Sequence, residues 1–288
     1  EQRPAPRWST KVKMVWDDER FYIAAELEEP HIWARLTQRD TVIFYDNDFE
    51  VFIDPDGDSH QYYEFEMNAL NTGWDLLLIK PYRDGGPAVH GWDIQGLQTA
   101  VSITGTLNRP SDIDSGWTVE LAIPWPALRE ASQGHFPPEA GDQWRINFSR
   151  VEWQTELVDG RYRKCINPAT GKPFPEENWV WSPQGVINMH YPEMWGYVQF
   201  SKRASGETEP FVEHPEEAAK WLLRQIYYRQ RNYHAQHSRF TARLEDLHIE
   251  QSACPGYQWP PRLFCTASIF EARRSEEHTS ELQSRQSI

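Results

Sequence analysis

Asp46–Thr72 reads DNDFEVFIDPDGDSHQYYEFEMNALNT, and this stretch decides the fold. In Asp46–Asp54, Phe49, Val51 and Ile53 fall on one face of an extended chain, with Asp48 and Glu50 on the other. DPDGDS (54–59) is a turn, with Pro and Gly at positions that favour tight reversal. Gln61–Ala69 then alternates again. Tyr63, Phe65 and Met67 make one face; Tyr62, Glu64, Glu66 and Asn68 make the other. Two strands of period two joined by a turn form an antiparallel pair with one apolar and one polar face.

The same pattern spreads in both directions. Lys11–Trp16 and Phe21–Glu28 flank the turn residues Asp17, Asp18 and Glu19 and predict a hairpin. Asp75–Lys80 is a short strand. Trp117–Ile123 aligns Trp117, Val119, Leu121 and Ile123, and Pro124 ends it because proline cannot donate to a sheet ladder. A helical turn is expected in the ALRE that follows. Trp144–Phe148 aligns Trp144, Ile146 and Phe148, and Gly196–Ser201 reads as a closing strand. Short strands with regular turn signals and no βαβ alternation predict a mainly β protein, an antiparallel β-sandwich of immunoglobulin-like or jelly-roll-like kind. A helical extension follows it. His214-Pro215-Glu216-Glu217 has the proline and acids of a helix start, and Leu222, Ile226 and Tyr233 make its stripe. A second helical piece is expected over Thr241–Leu247. The domain reading is a sandwich over 1–203, a linker over 204–213, and a helical extension with a loop-rich tail over 214–273. RSEEHTSELQS (274–284) reads like the translation of a sequencing adapter, so 274–288 is set apart from fold reasoning.

Composition narrows the function. The net charge of -14 over 288 residues argues against nucleic acid and anionic membrane, which need clustered Lys and Arg. No apolar run is long enough to insert into a bilayer. The chain opens at Glu1 almost inside a strand and reads as a fragment, its signal peptide lost with its start. Cys254 and Cys265 lie close together in the tail and suit a disulfide in an oxidising compartment; no zinc spacing is present.

The 14 Trp, 12 Tyr and 13 Phe point to a different partner. Trp16, Trp117 and Trp144 fall on apolar strand faces and read as core. Trp74, Trp92, Trp153, Trp179, Trp181 and Trp195 stand beside turns and charges. A flat indole matches the C–H face of a pyranose, and nearby carboxylates, amides and Arg bond its hydroxyls. Asp46, Asp48 and Glu50 share a polar strand face and must face solvent or line a site. Paired carboxylates there also allow a glycoside hydrolase or lyase acting on O-glycosyl bonds. Asp54, Asp56 and Asp58 on their turn suit a structural calcium, although Gly57 comes too early for an EF-hand loop. His190, with Met189 or Met194, makes a poor haem-ligand set.

WDDERFYIAAELEE (16–29), the Asp46–Thr72 stretch, GWTVELAIPW (116–125), WRINFSRVEW (144–153) and WVWSPQGVINMHYPEMWGYVQF (179–200), in this order, resemble the carbohydrate-binding module family 9-like domain of secreted bacterial proteins. The resemblance spans Arg7–Arg203. It implies a distorted antiparallel β-sandwich, consistent with the strand reading. It implies a terminal sugar held between two Trp rings, its hydroxyls bonded by polar side chains, with no catalytic residue and no required cofactor beyond structural calcium. Carried onto this chain, the carbohydrate-binding residues are Trp179, Trp181, Trp74, Asp46, Asp48, Glu50 and Arg150. The expected partner is a glycan or oligosaccharide, alongside other domains of a larger protein that is secreted, periplasmic or at the cell surface. The late loop is longer here and carries His190 and Glu193. A structural sandwich that has lost sugar binding is the remaining alternative.

Overall fold

The computed structural model describes residues 5–186, 188–204, 206–251 and 256–275. The chain divides into two compact units, Glu1–Glu209 and Pro210–Ile288.

The first unit holds two antiparallel sheets. Strands β1 (Thr10–Trp16), β2 (Arg20–Glu28), β7 (Gln98–Thr104) and β8 (Gly116–Pro124) form a four-stranded sheet in the order β1-β2-β8-β7. Strands β3 (Asp48–Asp54), β4 (Tyr62–Asn68), β5 (Gly73–Leu78), β6 (Ala88–Val89), β9 (Gln143–Glu152), β12 (Glu177–Val180) and β13 (Gly196–Gln199) form a seven-stranded sheet. Its order is β12-β9-β3-β4-β5-β6, with β13 also pairing β9. A separate hairpin joins β10 (Thr155–Val158) to β11 (Arg161–Lys164).

The core lies between the two sheets. Phe21, Ile23, Val119 and Leu121 come from the small sheet; Phe49, Val51, Phe65, Trp144 and Phe148 come from the large one. Across β3 and β9, Phe49 and Phe148 stack at 5.9 Å, as residues on the same pleat face should. Trp117 and Trp144 are buried here, as expected, and Trp16 is half-buried at the edge. After Pro124 the predicted helical turn forms as a 3₁₀ helix, Trp125–Ala131.

Strand β9 runs past Phe148 to Glu152. Its second half carries Ser149, Arg150 and Glu152, so the apolar period that marked its first half disappears. Two short strands share its free edge: β13 pairs with residues 143–146 and β12 with 149–152. Trp181 closes the gap between them. Its N–H donates to the Phe148 carbonyl (3.0 Å), its Nε1 donates to the Ile146 carbonyl (3.1 Å), and its ring meets Phe148 edge-on. A Cβ on Gly196 would lie 2.7 Å from that ring, so the close approach requires glycine.

In the second unit, helix α1 (Glu216–His237) packs with a hairpin of β14 (Arg262–Cys265) and β15 (Phe270–Arg273). Leu222, Ile226 and Leu247 form its core, and buried Gln230 exchanges two hydrogen bonds with the Thr241 backbone. The second helical piece is a 3₁₀ turn, Glu245–Leu247. Cys254 and residues 276–288 lie outside the described residues. Among the described residues, no helix is long and apolar enough to cross a membrane.

Candidate functional site

Directly paired residues of an antiparallel ladder share a face. That rule sorts the predicted residues. Phe49 pairs with Arg150, and Arg150 with Trp179, so these occupy the inner face of the large sheet. Asp48, Glu50 and Phe52 occupy the outer face, opposite Asn68, Glu66 and Glu64 on β4 and Val151, Ser149 and Asn147 on β9. Trp74 pairs with Glu66 and joins them.

The expected grouping of Trp179, Trp181 and Arg150 with Asp48 and Glu50 is therefore not formed. Arg150 closes one end of the core instead. Its guanidinium, about 1% exposed, bridges Glu29 (2.8 Å) and Glu152 (2.5 Å), with the Trp179 ring 5.5 Å away. Trp181 is 39% exposed, but its indole N–H is taken by the sheet edge. Asp46 is a loop clamp. Its carboxylate accepts from the Arg35 and Leu36 N–H groups (2.6 and 2.8 Å) and from Asn68 Nδ2 (3.2 Å).

What the outer face does bring together is a floor of four carboxylates: Asp48, Glu50, Glu64 and Glu66, all under 5% exposed. Oxygens of Asp48, Glu50 and Glu66 lie within 4.8 Å of one another. Hydrogen bonding from the backbone is sparse: the Val151 N–H reaches Asp48 Oδ1 at 3.3 Å, and the Phe44 N–H donates to Glu66 Oε2 at 2.9 Å. Asp48 Oδ2, Glu50 Oε2 and Glu64 Oε2 are buried without a partner, as are both amide atoms of Asn147 and the Trp74 Nε1. Burial pushes the Glu50 carboxyl up to about 8. Burial and then the Glu50 charge raise Asp48 and Glu64 well above the usual range, and Glu66 rises for the same reasons with Asp48 and Glu64 adding.

Aromatic residues surround this floor. Trp74 stacks on His90 (5.5 Å, 6°), while Phe52 and Tyr62 pack with Trp195. Tyr62 hydrogen-bonds His190 Nδ1 at 2.9 Å, and burial with the nearby Arg83 pulls His190 down to about 4, leaving it neutral. Tyr82, about half exposed, meets His190 edge-on and feels the Glu64 and Glu66 charges. Arg83 Nη2 donates to both carboxylate oxygens of Glu193 (2.8 and 3.0 Å), a salt bridge that pins the long late loop to the Tyr82–Asp84 turn.

The expected calcium turn has a different character. Asp54 accepts from the Gly57 and Ser59 N–H groups (3.0 and 2.9 Å), Asp56 from Asp58, and Asp58 from His60. Oxygens of Asp54, Asp56 and Asp58 also lie within 4.8 Å of one another, so the donor set suits a hard cation. A third acidic group, Asp40, Asp75 and Asp93, is already bridged by Arg39, which reaches Asp75 at 2.5 Å and Asp93 at 2.9 Å.

Glu64, Glu66, Asn147 and Tyr82 were not among the expected site residues. The EFE of β4 carried the signal for two of them: acids at i and i+2, opposite the acids of β3.

The large sheet of this β-sandwich thus carries a buried acid floor within an aromatic surround rather than a solvated polar face. Residues 2–147 match the family described as "Carbohydrate family 9 binding domain-like", and the chain belongs to that family. Two curated relatives align over 117 residues, 40% of this chain. They are Exoglucanase XynX of Acetivibrio thermocellus, 28% identical, and Endo-1,4-beta-xylanase A of Thermoanaerobacterium saccharolyticum, 27% identical. The alignments cover only 9% and 8% of those proteins. Among solved structures, a carbohydrate binding module family 9 from Caldicellulosiruptor kristjanssonii in complex with cellotriose aligns with TM-score 0.42 and 16% identity, over 73% of this chain and 84% of that one.

Proposed function

We propose that the first unit binds a plant-type polysaccharide chain without cleaving it, on the outer face of the large sheet. The observation that carries this reading is the set of buried, partnerless polar atoms there: acceptors on Asp48, Glu50 and Glu64, and donors on Trp74 and Asn147. An unmade hydrogen bond at a buried group costs about 1–3 kcal/mol, so a stable fold keeps such a set where a ligand completes it. Sugar hydroxyls both donate and accept, and they match such a mixture. Tyr82 and the Ile43–Tyr45 turn, tied to Glu66 through the Phe44 N–H, stand at the rim and offer rings for stacking. Affinity is moderate, since a shallow polar site gains little apolar burial.

The glycan class follows from the relatives named exoglucanase and xylanase, so β-linked glucan and xylan are the first ligands to try. Those relatives cleave as whole proteins of which this region matches a small part, and binding is the role of such an attached domain. A role in polysaccharide capture places the protein outside the cytoplasm. A calcium in the 54–58 turn would brace the β3–β4 hairpin without touching the glycan.

Pull-down on insoluble cellulose and xylan tests the reading, with reducing-sugar release followed in the same tubes. Retention on one polysaccharide with no sugar released is the expected result. Release of reducing sugar by the purified chain overturns the non-catalytic reading, and no retention on either polymer overturns the glycan class.

A further inference from the structure

The four floor carboxylates, when ionised, repel one another without a counter-charge. Among the described residues none of them is in a salt bridge, whereas Asp75 has Arg39, Glu29 has Arg150 and Glu193 has Arg83. To those three acids a guanidinium has been brought, while buried Asp54 and Asp114 accept backbone N–H groups at both carboxylate oxygens. Here the charges acting on Glu64 and Glu66 are only other carboxylates. Two like charges 4 Å apart repel by about 4 kcal/mol even at an effective dielectric of 20.

We propose that Asp48, Glu50 and Glu66 hold a hard divalent cation of the calcium class in the floor, and that its remaining coordination positions take hydroxyl oxygens of the glycan. The glycan half of this inference rests on the proposed function; the cation half does not. Oxygens bound to one calcium at 2.3–2.6 Å lie at most about 5 Å apart. The three carboxylates already meet that condition, with oxygens inside 4.8 Å. The donors are all oxygen, which favours calcium, magnesium or manganese over zinc or copper. A second observation stands outside the triad. Glu64 Oε2 and the Asn147 amide, on the same face and more than nine-tenths buried, have no partner and supply further oxygens to the ligand shell. Calcium takes six to eight oxygens, more than a triad supplies unaided, and neighbouring sugar hydroxyls are suited to the open positions.

The 54–58 turn is the built-in comparison. Its Asp54 oxygens each accept a backbone N–H, so turn formation alone accounts for that buried acid. Backbone turn bonds account for no floor acid except in part: one oxygen each of Asp48 and Glu66 accepts an N–H.

The test uses the full chain, stripped with EDTA and titrated with calcium by calorimetry, with terbium(III) luminescence under Trp excitation as an independent readout. Glu50→Gln, Glu66→Gln and Asp56→Asn are compared with wild type, their folding checked by circular dichroism. Each Gln variant is expected to weaken floor binding by about tenfold or more, since even second-shell changes at metal sites cost 10–100-fold. Asp56→Asn leaves that binding in place. Oligosaccharide affinity of the wild type is expected to fall by a similar factor in EDTA. The absence of saturable calcium or terbium binding overturns the proposal, as does binding lost in Asp56→Asn and kept in Glu50→Gln. Glycan binding unchanged by EDTA overturns the cation's part in recognition while leaving the proposed function standing. Calcium binding without any glycan binding supports the floor site and removes the proposed function.

Discussion

The two faces of the seven-stranded sheet come from the same strands and follow opposite rules. On the inner face, Phe49, Val51, Phe65 and Phe148 interdigitate with the small sheet, and the buried charges of Arg150, Glu29 and Glu152 are paired. On the outer face, the four buried acids Asp48, Glu50, Glu64 and Glu66 face one another, and among the described residues none of them is in a salt bridge. The inner face satisfies its own groups, as stability requires; on the proposed function, the outer face leaves its groups for the ligand and is less stable while empty.

Mutations on the two faces should therefore move stability in opposite directions. Phe148→Ala opens a cavity beside Phe49 and Trp181 and should cost about 3–5 kcal/mol in urea unfolding. Arg150→Met strips the counter-charge from Glu29 and Glu152 and should cost a similar 3–5 kcal/mol, since breaking a buried pair leaves uncompensated charge. On the outer face, Glu50→Gln keeps the shape and removes a buried charge. In EDTA-treated protein at pH 8.5 it should raise stability by about 1–3 kcal/mol. A destabilised Glu50→Gln would make the floor a structural network and dissolve the contrast between the faces.

His190 offers a pH test on the same face. Its folded value of about 4 lies below the ordinary 6.5, so between these the unfolded chain holds a proton that the folded chain does not. Its contribution is fully present above about pH 6.5 and is lost as pH falls towards 4. Wild type should thus lose about 2–3 kcal/mol more than His190→Gln between pH 7 and pH 4.5, read as the difference between their urea midpoints. Equal losses would show that His190 titrates normally.

The sandwich was legible because its inner face obeys a period of two; β3, β4 and β8 were readable from residue alternation alone. The site was only partly legible. Asp48, Glu50 and Trp74 belong to one face, but Arg150 and Trp179 belong to the other. Register caused that error: alternation tells which residues of one strand share a face, while the pairing of β9 with β3 decides which face of the sheet Arg150 joins. Arg150 sits where an apolar residue was due, and its burial depends on Glu29, 121 residues away in sequence. Trp181 misled for a related reason. Its place beside turns and charges suggested a sugar-stacking ring, yet its indole completes a split sheet edge, a contact visible only once β12 and β13 are both laid on β9.

The most direct test of the outer-face site is a pair of calorimetric titrations with cello- and xylo-oligosaccharides, one on Glu64→Gln and one on a Trp179→Ala/Trp181→Ala double variant, each against wild type. Binding that disappears in Glu64→Gln and persists in the folded double Trp variant is the predicted result. Binding that persists in Glu64→Gln and disappears in the double variant would place the glycan at the β12 edge and contradict the account.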